Sequence, residues 1–271
     1  MNYSEELERE DYLETHGPAS SPVTAANIPV GRILEKLDEH LSHKDFRAAE
    51  THLCYWLNEA DGCGDDRGKL TVLNELIGFY RKTENKKDGL ETVKKALDFI
   101  DKLGIDDTVS AGTTYLNAAT AYKSFDMDSE ALSLYEKAKI IYEKQLSPDD
   151  ERLAGLYNNM AITLTALKYF NDARALFEKA LSIISAVGNG ETDEAITHCN
   201  LADLAAAEFG IEKGESLINQ HLDRAFDLLN THGLPRDSYY AYVCEKCAPT
   251  FGFYGQFFRE KELIKRAGEL N

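Results

Sequence analysis

The sequence predicts an all-α fold, a solenoid of about six helical hairpins, on three observations. Four separate columns of residues repeat with one 42-residue step, apolar residues between them recur at helical spacing, and short polar breaks separate the helical stretches. Ala96, Ala138 and Ala180 form the first column, since 138 minus 96 and 180 minus 138 are both 42. Tyr80, Tyr122 and Leu164 form the second, Gly89, Ala131 and Ala173 the third, and Phe99, Ile141 and Ile183 the fourth. Amphipathic helices share a 3.6-residue period but have no reason to share a longer one. A lone hairpin cannot bury its apolar face, whereas a stack of hairpins can.

In chain order, residues 1–27 come first: an acidic start, then GPASSPVTAANIP, with no sustained apolar stripe. This segment is expected to be a flexible tail. A second reading lets EELEREDYL fold back into the groove as an internal inhibitor. The solenoid is expected over 28–271. RILEKLDEHLSHKDFRAAETHLCYWL reads as a divergent helix pair, with Phe46 and Ala49 at repeat-like spacing and Trp56 in the shared core. The next pair begins near Leu70, where Leu73, Leu76, Ile77 and Tyr80 make the first helix while Gly89 and Val93 mark the second.

The two central pairs are the most regular. Tyr115, Ala118, Ala119, Tyr122, Ala131 and Tyr135 repeat as Tyr157, Met160, Ala161, Leu164, Ala173 and Phe177. Small residues let two helices approach and large ones fill the groove between them. ALSLYEKAKIIYEKQL continues its apolar pattern well past Ala138, until SPDDER supplies a proline and cap-like Ser and Asp. Further on, His198, Leu201, Ala202 and Ala205 give a first helix, whose partner GESLINQHLDRAFDLL aligns only after about four inserted residues. A last pair over about 238–270 closes the array. Its aromatic residues Tyr239, Tyr242, Phe251, Phe253 and Phe257 are expected to pack as a cap, or else to form a dimer contact.

These residues and spacings resemble the tetratricopeptide repeat. The family's unit is 34 residues, so the step here adds about two helical turns. That lengthened form is similar to the repeats of kinesin light chains and of bacterial peptide-sensing regulators. The resemblance implies a right-handed superhelix whose first helices line a concave side that binds an extended peptide or protein segment. Asn117, Asn159 and Asn200 hold the same repeat position in three successive units, with Asn74 and Asn158 one residue earlier. An amide carries both an acceptor and donors, so a ladder of amides can pair with a peptide backbone of any sequence, as families with lengthened repeats do at this position. The structural alternative is that these amides bond neighbouring helices and hold the stack. Arg81, Lys82 and Lys123 project near the same side and could receive a peptide's carboxylates. The two-carboxylate clamp of chaperone-binding relatives is not matched completely. A structural scaffold or oligomerisation subunit, using the convex face or the aromatic end, is the alternative function.

Composition narrows the partners. A formal net charge of -17 over 271 residues excludes the basic face that nucleic acid requires and disfavours anionic membranes. With no secretory leader pattern and five cysteines, the expectation is a cytoplasmic protein. Cys244 and Cys247 form a CxxC without a second pair and are expected as buried thiols. DGCGDD and VGNGETDE lack the ligand spacing of a calcium loop. No phosphate loop, metalloprotease helix or nucleophile elbow is present, so neither an enzyme nor a cofactor is expected.

Overall fold

The computed structural model describes residues 27–186, 188 and 190–270. All but Asn27 of the tail expected over 1–27, including the segment read as an internal inhibitor, lies outside the described residues. Among the described residues twelve helices make six hairpins: α1 (Val30–Ser42) with α2 (Phe46–Cys63), α3 (Asp66–Lys82) with α4 (Lys86–Leu103), and α5 (Val109–Ser124) with α6 (Asp128–Gln145). There follow α7 (Glu151–Ala166) with α8 (Phe170–Ile184), α9 (Glu191–Phe209) with α10 (Ile211–Leu228), and α11 (Ser238–Phe253) with α12 (Phe257–Gly268). No strand occurs among the described residues.

The chain divides into two compact units, meeting in sequence between Ile141 and Tyr142. In the first unit the first helices α3 and α5 pack side by side; in the second, α7 packs on α9 and α9 on α11. Contact between successive first helices is the solenoid arrangement, in which each repeat meets its neighbours. All four sequence columns face the packing. Ala96, Ala138 and Ala180 are fully buried, as are Ala131 and Ala173. Gly89 stands where its equivalents are alanine because a Cβ there would lie 3.0 Å from the Phe125 ring.

The turn inside each hairpin explains the shared step. Lys44, Glu84, Asp126, Lys168, Gly210 and Gly255 all have positive φ. Glu84, Asp126, Lys168 and Gly210 follow one another at 42 residues, while Lys44 precedes Glu84 by 40 and Gly255 follows Gly210 by 45. Asn85, Met127 and Tyr169 donate their backbone N–H to the carbonyls of Tyr80, Tyr122 and Leu164, at 2.9, 3.0 and 2.9 Å. This is the six-to-one bond that closes a helix through a left-handed residue. The large residues of one column therefore also end the first helices.

At the amino-terminal end, the buried Asp65 carboxylate accepts from the N–H of Gly68 as cap of α3 and from the N–H of Ile28, both at 2.9 Å. A Cβ on Gly68 would lie 2.4 Å from Asp65 Oδ2, so glycine is needed there. Three expectations change. Phe46 is exposed, and Trp56 is half-buried beside His52 and Tyr55, because Ala49, Leu53 and Ala60 already form the buried stripe of α2. Phe253 and Phe257 are exposed, whereas Phe251 is fully buried and Tyr239 and Tyr242 pack against the core of the second unit. The insertion expected before α10 is absent: Gly210 keeps the 42-residue step, and three extra residues fall between Gly210 and Gly255. Most of that interval is α10 and its link to α11, residues 229–237.

Candidate functional site

In the second unit, α7, α9 and α11 enclose a cavity of about 370 Å³. That volume is near the lower end of ligand pockets, which run from about 300 to 1,000 Å³. Glu151, Asn158, Asn159 and Ile162 reach it from one face of α7, and Asp193, Ile196 and Asn200 from one face of α9. Tyr239 and Lys246 come from α11, and Leu234, Pro235 and Asp237 from the link before it. The spacings of three, four and seven residues put each helix's contribution on a single stripe. The link is fastened at its start. Tyr240 Oη donates to the Leu229 carbonyl at 3.0 Å, and the Arg266 guanidinium donates to Asn230 Oδ1 at 2.8 Å and to Tyr240 Oη at 3.1 Å.

The asparagines divide into two kinds. Asn158 Nδ2 donates to Thr197 Oγ1 at 2.8 Å, and that hydroxyl donates to the Asp193 carbonyl at 2.9 Å. In the first unit Asn74 does the same to Thr114 at 3.1 Å, whose hydroxyl donates to the Ser110 carbonyl. The earlier of the two registers thus ties one first helix to the next. In both residues the amide oxygen is buried and receives no donor among the described residues. Asn159 and Asn200, at the other register, are partly exposed and line the cavity. Asn117 holds this register on α5 and is also partly exposed.

The cations sit elsewhere. In the first unit, Lys123 is partly buried, and desolvation, aided by the charge of Arg81, holds its pKa below the usual lysine range against Asp128 and Asp126. Arg81 and Lys123 are therefore brought together, while Lys82 is exposed. The cavity in the second unit has the opposite sign: Glu151, Asp193 and Asp237 outnumber Lys246. Burial pushes the Asp193 carboxyl up to about 6, with the like charge of Glu151 adding to the rise. The hydrogen bond from Tyr239 Oη, 2.7 Å, and the charge of Lys246 oppose it. Sequence reasoning missed Asp193, Tyr239 and the link residues.

Cys244 and Cys247 are buried free thiols, and burial pushes Cys244 up to about 11. His198 pairs with His221, Nδ1 to Nδ1, at 3.1 Å. Among the described residues no helix is long and apolar enough to cross a membrane.

Residues 153–188, which cover most of α7, all of α8 and the turn after it, match the model of the tetratricopeptide repeat. The fold is a tetratricopeptide-type solenoid. Among solved structures, that of BtubC (BKLC) from P. vanneervenii is similar with a TM-score of 0.64 at 21% identity, over 87% of this chain and 91% of that one. The structure of NprR in complex with its cognate peptide NprX is similar with a TM-score of 0.57 at 15% identity, over 97% and 72%. A clustered mitochondria protein homolog of Kluyveromyces lactis is 34% identical over 85 residues, 31% of this chain. The chain spans only 7% of that relative's length.

Proposed function

We propose that this chain is a protein-interaction module that binds an extended peptide, or an unstructured segment of a protein partner, along its first helices. The cavity between α7, α9 and α11 is the anchoring part. The observation that carries this reading is the convergence of Asn159 and Asn200, from two successive first helices, on one cavity, with Asn158 beside them tied to Thr197. Their amides can meet both the N–H and the C=O of an extended backbone. Asn117 and Asn74, with Arg81, Lys82 and Lys123, are the corresponding candidates in the first unit. The NprR structure, similar in fold, was solved with a peptide.

The test begins by selecting binders to the whole chain from a displayed library of random peptides about twelve residues long. Synthetic copies are then titrated against the wild type and the Asn159→Ala, Asn200→Ala double variant. At about 0.5–1.5 kcal/mol per net hydrogen bond, the double variant should bind roughly tenfold more weakly or worse while keeping its helical signal. Equal affinities for the selected peptides would remove the asparagines from the function. The exposed Phe253, Phe257 and Phe258 favour a second reading, in which the carboxy-terminal hairpin holds an oligomeric partner.

A further inference from the structure

The hairpin tips of the second unit share a character that the fold does not require. Around Lys168, Gly210 and Gly255, the positive-φ residues that turn α7 into α8, α9 into α10 and α11 into α12, stand Tyr169, Phe209, Ile211, Phe253, Phe257 and Phe258. Phe209 is nearly half exposed and the other five are more than half exposed. In the first unit the same positions around Lys44, Glu84 and Asp126 hold mostly polar side chains, and among the described residues Phe46 is the one large apolar residue exposed at those tips. First helices packed side by side put their ends along one edge. Contacts tie the three tips together there. The Arg174 guanidinium near the start of α8 pairs with Glu208 at the end of α9. Tyr254 Oη donates to Asp203 at 2.8 Å, and Gln256 Nε2 donates to Asn219 Oδ1 at 3.0 Å.

We infer that this edge binds a second copy of the chain, edge against edge, in a two-fold dimer. The inference rests on the second reading above, widening the contact from the last hairpin to all three tips, and is independent of the peptide groove. Area favours a protein-sized occupant. At about 150–250 Å² per aromatic side chain, the exposed parts of the six residues present roughly 700 Å² of largely apolar surface. That exceeds the roughly 300–600 Å² of the largest patch on a typical monomer. With its polar surround it reaches the roughly 800 Å² per partner of a stable interface. Charge favours a second copy. Over the whole chain 47 acidic residues stand against 30 basic ones, so copies that meet elsewhere repel on average. Within the three tips, residues 168–172, 208–213 and 253–261, there are four acidic and four basic residues. Two copies can meet there without opposing net charges, and the same patch serves both sides, as a two-fold contact requires.

The test is sedimentation velocity of the full chain from low to high micromolar concentration. The wild type is compared with the Tyr169→Ser, Ile211→Ser double variant, with Phe258→Ser, and with Phe46→Ser as the control on the first unit. The expected result is a species of twice the chain mass whose dissociation constant rises about tenfold or more in the double variant and in Phe258→Ser, and is unchanged in Phe46→Ser. Circular dichroism checks that the helices persist; should the double variant lose them, Ile211→Ser alone is measured, with a rise of about threefold expected. Weakening by Phe258→Ser but not by the two tip substitutions overturns the inference and leaves the contact on the last hairpin. Weakening by Phe46→Ser alone also overturns it. A chain that stays monomeric at every concentration overturns it as well. Flotation of that monomer with phosphatidylcholine vesicles, lost in the double variant, would then assign the edge to a lipid surface. The Asn159→Ala, Asn200→Ala variant should dimerise as the wild type does, so that failure of the groove and failure of the edge are read apart.

Discussion

An asparagine amide has two ends, and Asn158 uses only one within the described structure. Its nitrogen holds Thr197 of the next first helix, while its oxygen is buried without a donor. Net hydrogen bonds contribute about 0.5–1.5 kcal/mol, but an unmet buried acceptor costs about 1–3 kcal/mol. The same division at Asn74 makes it a property of the repeat register. A half-buried polar pair sets an acid response. His198 is pushed down to about 4 by burial first, then by the charges of His221 and Arg224. Its unfolded value is about 6.5, so between roughly 6.5 and 4 the unfolded chain binds the proton and folding stability falls as pH falls. Asp193, raised to about 6, has the opposite sign: over the window from about 6 down to its unfolded value the folded form takes up the proton, and stability rises as pH falls. The His198→Gln variant should therefore lose less melting temperature than the wild type between about pH 7 and pH 4.5. Thermal unfolding followed by circular dichroism at both pH values checks this, and equal losses would contradict it.

At the scale of the helix and its turn, the chain places Lys44, Glu84, Asp126 and Lys168 at positive φ, where an L side chain is strained. Lys168, at φ 65°, closes α7 onto α8. Relief of roughly 1–3 kcal/mol of backbone strain, offset by the extra freedom glycine gives the unfolded chain, predicts that Lys168→Gly stabilises by about 0.5–1 kcal/mol. Urea unfolding measures it; destabilisation would show that the lysine makes a contact worth more than the strain. The turns also show where sequence reasoning stops. The columns through Tyr80, Gly89, Ala96 and Phe99 were legible because side-chain size must repeat wherever helices touch at a repeated distance. The turn residues keep the same step with less sign of it, since glutamate and lysine give none of left-handed backbone and aspartate only a weak one. Asn158, Asn159 and Asn200 were legible as a candidate site because they follow the repeat. Asp193, Tyr239 and Leu234 were not, because a carboxylate in a first turn reads as a helix-dipole group, and the other two belong to a stretch that has slipped by three residues. The sign of the cavity was likewise hidden until α11 supplied its wall.

At the scale of the molecule, the last hairpin ends on side chains that nothing among the described residues covers. Phe258 is 93% exposed, Phe253 69%, Phe257 59% and Ile264 55%, an apolar load of the kind that marks contact surfaces. If this end pairs with a second copy, sedimentation at low micromolar concentration will show a species of twice the 30.4 kDa chain mass, and Phe258→Glu will shift it toward the monomer. A single 30.4 kDa species at every concentration would reject self-association through this end. The link between α10 and α11 carries a different consequence. Its start is clamped by Tyr240 and Arg266, and its later residues Leu234, Pro235 and Asp237 border the cavity. The interval from Gly210 to Gly255 holds three residues beyond the 42-residue step, and α9 still packs on α11. If the chain binds a peptide as proposed, a change at Leu234 or Pro235 would alter its choice of partner while leaving the helix contacts beneath intact.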